Sequence, residues 1–428
     1  MFFRSFKLYL AGLMTALLLV ACGTGESAPA PTGLTASAGE SSATLTWDMV
    51  SGVEYWVFYA PTSVSPSSVT SMQNWFGLPG GNVMLKVSSP YVVQGLANGV
   101  NYSFSINGRI SGGPGGPGAT PVQASPRIAG SNWTATAASG SVDLRSVAYG
   151  STTSTTLINS VTTTTNLTTT YIAVGDLGAM YSSTDGTNWT PIDYANTKRL
   201  SGASFLSTYK VVGDEGLILT SPDTITWTVQ TSGTTKNLYA IAGNGLNLNV
   251  AVGAAGTIIT STDGLNWTAA SSSGTVRDLY AVNYGGGTWV AVGAGGTIVV
   301  SGDGLTWHAV DSGESNDLRG IASMASLSST GTLNTTYVAV GAASTLLSSS
   351  DAGTWTQQPV PMVGANLNAV VYGTQFVAVG AEGSILFSSD GLIWEAAQAL
   401  NSKEILAVTH GLDGFYAVGS AGSHLQSK

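Results

Sequence analysis

From residue 29 onward, apolar and polar residues alternate in short runs separated by Gly, Pro, Asn and Ser. A period of two predicts β-strands, and no stretch of this region shows the 3.6-residue period of a helix. Ala43-Thr-Leu45-Thr-Trp47, Tyr55-Trp-Val57-Phe-Tyr59 and Tyr102-Ser-Phe104-Ser-Ile106 are runs of this kind. Beyond residue 130 the runs repeat. One unit reads Leu279-Tyr-Ala-Val282, then Trp289-Val-Ala-Val-Gly293-Ala-Gly-Gly296-Thr-Ile-Val-Val-Ser301, then Asp303-Gly-Leu-Thr-Trp307. Its glycine recurs at Gly175, Gly213, Gly253, Gly293, Gly341, Gly380 and Gly419. Its tryptophan recurs at Trp189, Trp227, Trp267, Trp307, Trp355 and Trp394. Each of these has an aspartate four residues earlier, at Asp185, Asp223, Asp263, Asp303, Asp351 and Asp390.

Four short strands in about 40 residues make one blade of a β-propeller. Seven Val-Gly motifs stand against six Asp-x-x-x-Trp motifs. The sequence stops at Ser427-Lys428, where a seventh fourth strand would begin, and a spare strand, Ser131-Asn132-Trp133-Thr134, precedes the first unit. The economical closure places the Trp133 strand beside the last three strands, giving seven blades and no free sheet edge. The expected fold is all-β: a small sandwich over 29–126, then a seven-bladed propeller over 127–428.

The first 21 residues read differently. Arg4 and Lys7 precede a thirteen-residue apolar run over 8–20. This is the pattern of a secretory signal, and the run is shorter than the ~20 residues that cross a bilayer as a helix. Leu19-Val20-Ala21-Cys22-Gly23 resembles a bacterial lipobox, which implies cleavage before Cys22 and acylation of its thiol. Cys22 is the only cysteine, so no disulfide is expected within the chain. Residues 22–28 read as a lipidated tether. Gly23, rather than Asp, after the cysteine implies outer-membrane sorting, with the leaflet open. The membrane is thus one expected partner.

Over 29–126, the opening proline, Trp47 and the Leu96…Tyr102 spacing of a tyrosine corner resemble a fibronectin type III domain. In the repeats, Ser183-Thr-Asp185-Gly-Thr-Asn-Trp189, Ser261-Thr-Asp263-Gly-Leu-Asn-Trp267 and Ser389-Asp390-Gly-Leu-Ile-Trp394 resemble the Asp-box, or BNR, motif. They are one residue short of its commonest form, and Pro222-Asp223-Thr224 and Asp351-Ala352-Gly353 depart further. With Leu144-Arg-Ser-Val147 and Leu318-Arg-Gly-Ile321 opening two units, the repeats are similar to the seven-bladed photosystem II assembly factors. That resemblance implies a non-enzymatic scaffold. The wider Asp-box superfamily includes sialidases, but of their Arg-Ile-Pro motif only Arg127-Ile128-Ala129 comes near. The box aspartates read as turn-building residues, since Asp bonds backbone N–H groups of its own turn.

Only 9% of the 428 residues are charged, and the net charge is −9. No basic stripe exists, which excludes a nucleic-acid partner. His308, His410 and His424 are scattered, and the Gly-rich turns open no helix, so no metal or cofactor is expected. From residue 127, all but four of the charged residues outside the boxes fall in blade-to-blade connectors or second-to-third-strand turns. Those segments share one face of a propeller. The candidate binding face therefore carries Arg145, Arg199, Asp214, Glu215, Arg277, Asp278, Asp317 and Arg319. The expected activity is binding or scaffolding of another protein, with a glycan-binding adhesin or a sialidase-like hydrolase as alternatives. The insertions 151–170 and 324–336 map to the opposite face as hairpins.

Overall fold

The computed structural model describes residues 27–64, 75, 78–158, 162–327, 331, 333–362, 364–397 and 403–428. The segment read as a secretory signal and Cys22 lie outside the described residues. The chain divides into two compact units, 1–128 and 129–428.

In the first unit, Thr35–Gly39, Ser42–Thr46 and Tyr91–Gln94 form one antiparallel sheet. Asn82–Val87, Val53–Pro61, Tyr102–Ile110 and Val122–Ala124 form a second. Alternate residues of both sheets face each other. Leu45 and Val93 from one meet Val57, Phe104 and Ile106 from the other in a single core. The Tyr102 hydroxyl accepts from the Ala97 N–H at 3.2 Å.

Among the described residues, the second unit contains seven four-stranded antiparallel sheets. Their first strands are Leu144–Ile158, Leu200–Leu206, Leu238–Gly243, Leu279–Gly285, Leu318–Leu327, Leu367–Tyr372 and Ile405–His410. Each first strand packs against the next, and Ile405–His410 packs against Leu144–Ile158, so the contacts run in a circle. Fourth strands have only two or three residues, as in Thr268–Ala269 and His308–Val310. Short outer edges offer little backbone for unwanted pairing. The insertions lie in paired ribbons, in which Thr162 is opposite Ile158 and Leu333 opposite Leu327.

The recurring Val-Gly glycine has a steric cause. Gly293 has an extended φ of −169°, which any residue can adopt. A Cβ there would lie 1.9 Å from the Asp278 carbonyl oxygen and 2.9 Å from the Leu279 Cα. At the equivalent glycines of the other six sheets the same carbonyl would stand 2.0–2.2 Å away. The crowding comes from a β-bulge that opens each first strand. Leu279 pairs with Gly293 and Ala281 with Val292, leaving Tyr280 unpaired between them.

The seventh sheet takes its fourth strand from far away in sequence. Thr134–Thr136 pairs with His424–Ser427, with Thr136 opposite His424. Trp133 is buried among Val379, Ile405, Phe415 and Leu425, and its Nε1 donates to the Gly130 carbonyl at 2.7 Å. The Gly130 N–H donates to the Ser427 hydroxyl at 2.7 Å. His424 is buried too, hydrogen-bonded to the Ser139 hydroxyl and stacked 4.4 Å from Trp189 of the first sheet. Burial lowers its pKa from 6.5 to about 4. The unfolded chain therefore takes a proton near pH 6.5 that the folded chain refuses until about pH 4. Stability is expected to fall as pH drops through that window, by a few kcal/mol. Urea denaturation at pH 7 and pH 4.5 checks this, and His424→Gln should flatten the difference.

Candidate binding face

Register fixes which loops share a face. In the second sheet Leu200 begins the first strand opposite Gly213, where the second strand ends. Ile218 begins the third strand opposite Val212, and its other neighbour is Gln230 near the end of the fourth. Turns from second to third strands and connectors between sheets therefore lie together. The Asp boxes lie at the other end of the strands.

The boxes are closed hydrogen-bonded units. Each aspartate Oδ1 accepts two backbone N–H groups at 2.8–3.0 Å, as in Leu305 and Thr306 onto Asp303. A serine two residues earlier donates to the same oxygen, and in five of the boxes it also accepts the next residue's N–H, as Ser301 does from Gly304. The box tryptophan Nε1 donates to a carbonyl of its own turn at 2.9–3.2 Å. Backbone N–H donors hold the carboxyls of Asp223, Asp263, Asp303, Asp351 and Asp390 below the usual aspartate range. At Asp185 partial burial opposes the shift and the donors still prevail. An acid committed to its own turn as an anion is unsuited to donate a proton.

The opposite face is built on the bulges. A bulged residue loses its ladder partner and its side chain is re-aimed. The positions concerned are Arg145, Ser201, Tyr239, Tyr280, Arg319, Asn368 and Leu406, one per sheet and all half-buried. With their neighbours they touch around much of the circle. The Arg199 guanidinium lies 5.9 Å from the Tyr239 ring, and Tyr239 lies 5.7 Å from Tyr280. Arg319 Nη1 donates to Asn368 Oδ1 at 2.8 Å, and Asn368 Nδ2 donates to Glu404 Oε1 at 3.0 Å. Arg145 grips Asp176 through Nε and Nη2 at 3.0 and 2.7 Å. Partial burial raises both tyrosine pKa values, so Tyr239 and Tyr280 remain neutral O–H donors.

The charged candidates divide by role. Arg145 and Arg319 are ring members, and Arg199 borders it. Lys198 pairs with Glu215 at 2.8 Å, and Arg199 meets Asp214 at 3.3 Å. Arg277 donates to the Gly295 carbonyl at 2.7 Å. Asp278 and Asp317 have structural work. Their Oδ1 atoms accept the Ala255 and Gly295 N–H groups of the preceding sheet, at 2.7 and 2.8 Å. Asp143, Asn237 and Asn366 do the same for Ala421, Glu215 and Ala343. The sequence reading assigned Asp278 and Asp317 to docking and missed this staple. Its signal was the Asn or Asp before Leu in five of seven units. Tyr239, Tyr280 and Asn368 were missed because their position is marked by place, not residue type.

Circularly packed four-stranded sheets of this kind define a β-propeller. No protein-family model and no curated protein matches the sequence. Solved structures resemble it in fold. "YCF48 bound to D1 peptide" aligns over 69% of this chain and 94% of its own, at 15% identity and TM-score 0.52. YCF48 from Cyanidioschyzon merolae covers 69% and 98%, at 14% and 0.50. Virginiamycin B lyase from Staphylococcus aureus covers 69% and 99%, at 9% and 0.54.

Proposed function

We propose that the chain is a non-enzymatic, lipid-anchored envelope protein that binds another protein through the bulge ring. In this reading Cys22 carries the lipid and places the protein at the outer membrane. The first unit is a fibronectin type III spacer. The second is a seven-bladed propeller closed by the Thr134–Thr136 strand. The observation that carries the binding reading is the ring itself: seven equivalent half-buried positions, most of them Arg, Tyr, Ser or Asn, in a chain otherwise poor in charge. Arg and Tyr combine large contact area with directional donors, which is why interface anchors are enriched in them. A propeller fold with a peptide bound among the neighbours supports a segment of another protein as the ligand. The box aspartates, spent on their own turns, give little support to a hydrolase.

Affinity enrichment of the acylated full-length protein from its native envelope is expected to recover a partner. Tyr280→Ser combined with Arg319→Ser should lose that partner while keeping the wild-type melting temperature. An unchanged partner list would sink the docking reading.

A further inference from the structure

Resting on that reading of the face, one junction on it departs from the others in a way that names a ligand. In each second-to-third-strand turn the middle residue adopts a left-handed conformation, from Leu177 at φ 56° to Ala421 at φ 51°. Its N–H points toward the residue that opens the next sheet. At five junctions among the described residues that residue is Asp or Asn, and its Oδ1 caps the N–H at 2.7–3.1 Å. Two junctions lack the cap. After Glu382 the place belongs to Glu404, whose carboxylate instead receives Asn368. After Leu177 it belongs to Arg199, which has no acceptor to offer.

The Leu177 junction is otherwise unusual. No acceptor among the described residues meets the Leu177 N–H. Arg199 Nε is buried and has no hydrogen-bond partner. The Leu177 side chain is 70% exposed. The nearby acids are engaged elsewhere, Asp176 by Arg145 at 2.7 Å and Glu215 by Lys198 at 2.8 Å. Arg199 donates one side-chain hydrogen bond, from Nη2 to Asp214 at 3.3 Å, and its guanidinium lies 5.9 Å from the Tyr239 ring.

We propose that the junction of the first and second sheets is a carboxylate-binding site. A carboxylate of the partner, from a C terminus or an acidic side chain, takes the place that Asp or Asn fills at the five capped junctions. One oxygen accepts the Leu177 N–H. The other accepts from the Arg199 guanidinium, whose fork matches a carboxylate. The exposed Leu177 side chain packs against the aliphatic part of the ligand, and water serves the N–H in the free protein.

The test is an amide-resolved NMR titration of the full mature chain. The probes are a short peptide with a free C-terminal carboxylate, its C-terminal amide, an amidated peptide with an internal Glu, and inorganic phosphate. The Leu177 amide proton should move downfield and saturate with one or both acids and stay still with the uncharged amide. The tighter acid identifies the source. Arg199→Asn restores the cap found at Asn237 and Asn366. Its Leu177 amide should already lie downfield, its melting temperature should equal or exceed wild type, and its affinity should fall about tenfold or more. A Leu177 amide that ignores both acids, follows the uncharged amide equally, or answers phosphate alone overturns the proposal. This outcome is separable from the capture experiment, which turns on Tyr280 and Arg319 and can succeed where the titration fails.

Discussion

Gly293→Ala is expected to destabilise the second unit by about 3 kcal/mol, the upper range for forcing an atom into packed structure. The cause is local: the new Cβ would stand 1.9 Å from the Asp278 carbonyl oxygen and 2.9 Å from the Leu279 Cα. Backbone on both sides cannot swing aside as a flexible side chain would. That carbonyl also accepts the Ala294 N–H at 2.9 Å, so retreat would stretch a bond that starts the next turn. Asp278, just before the Leu279–Gly285 strand, staples the preceding sheet through Ala255, and the strain would pass to that junction. Gly302 supplies the control, since a Cβ there meets nothing within 4 Å and its φ lies outside the left-handed range. Gly302→Ala should stay within about 0.5 kcal/mol of wild type, or gain slightly through a less flexible unfolded chain. Paired chemical denaturation of the two variants decides the matter. Equal midpoints would mean that the bulge relaxes and the glycine repeat has another cause.

The repeat was legible in the sequence because each sheet must bury the same positions. Leu200, Leu238, Leu279 and Leu318 are fully buried first-strand residues, and the three residues before each glycine are buried throughout. Such positions tolerate few residue types, so spacing exposes them. The purpose of the glycine was not legible, because its neighbour is a carbonyl fifteen residues upstream at Asp278, brought close by a bulge. The face of the charged residues follows from strand order alone, while their duties do not. Asp278 and Asp317 look like Arg277 and Arg319 in a tally of charge, yet their acceptors close junctions between sheets. Their donors lie on another sheet, more than twenty residues upstream. Aligning the units shows the staple, and the same alignment shows Arg199 and Glu404 as its two exceptions. The ring hides for the opposite reason. Arg, Ser, Tyr, Asn and Leu share one bulge position, so no residue type announces it.

Trp133→Ala tests whether the distant fourth strand holds the seventh sheet. Trp133 is 6% exposed and packs on Val379, Ile405, Phe415 and Leu425, drawing on the sixth and seventh sheets together. Truncating a buried tryptophan costs about 3–5 kcal/mol through lost contacts and the cavity left behind. The Gly130 carbonyl also loses its Nε1 donor, and Gly130 holds Ser427 through its own N–H. The damage should therefore concentrate at the pairing of Thr134–Thr136 with His424–Ser427, which is only three residue pairs long. Hydrogen exchange of the Leu425 and Gln426 region should accelerate more than that of the third sheet. Trp307→Ala removes a comparably buried ring from a box flanked by sheets on both sides. It should cost similar global stability without favouring exchange at 424–427. If Trp133→Ala melts like wild type, or if both variants open 424–427 equally, the three-residue strand is not what holds the last sheet in the circle.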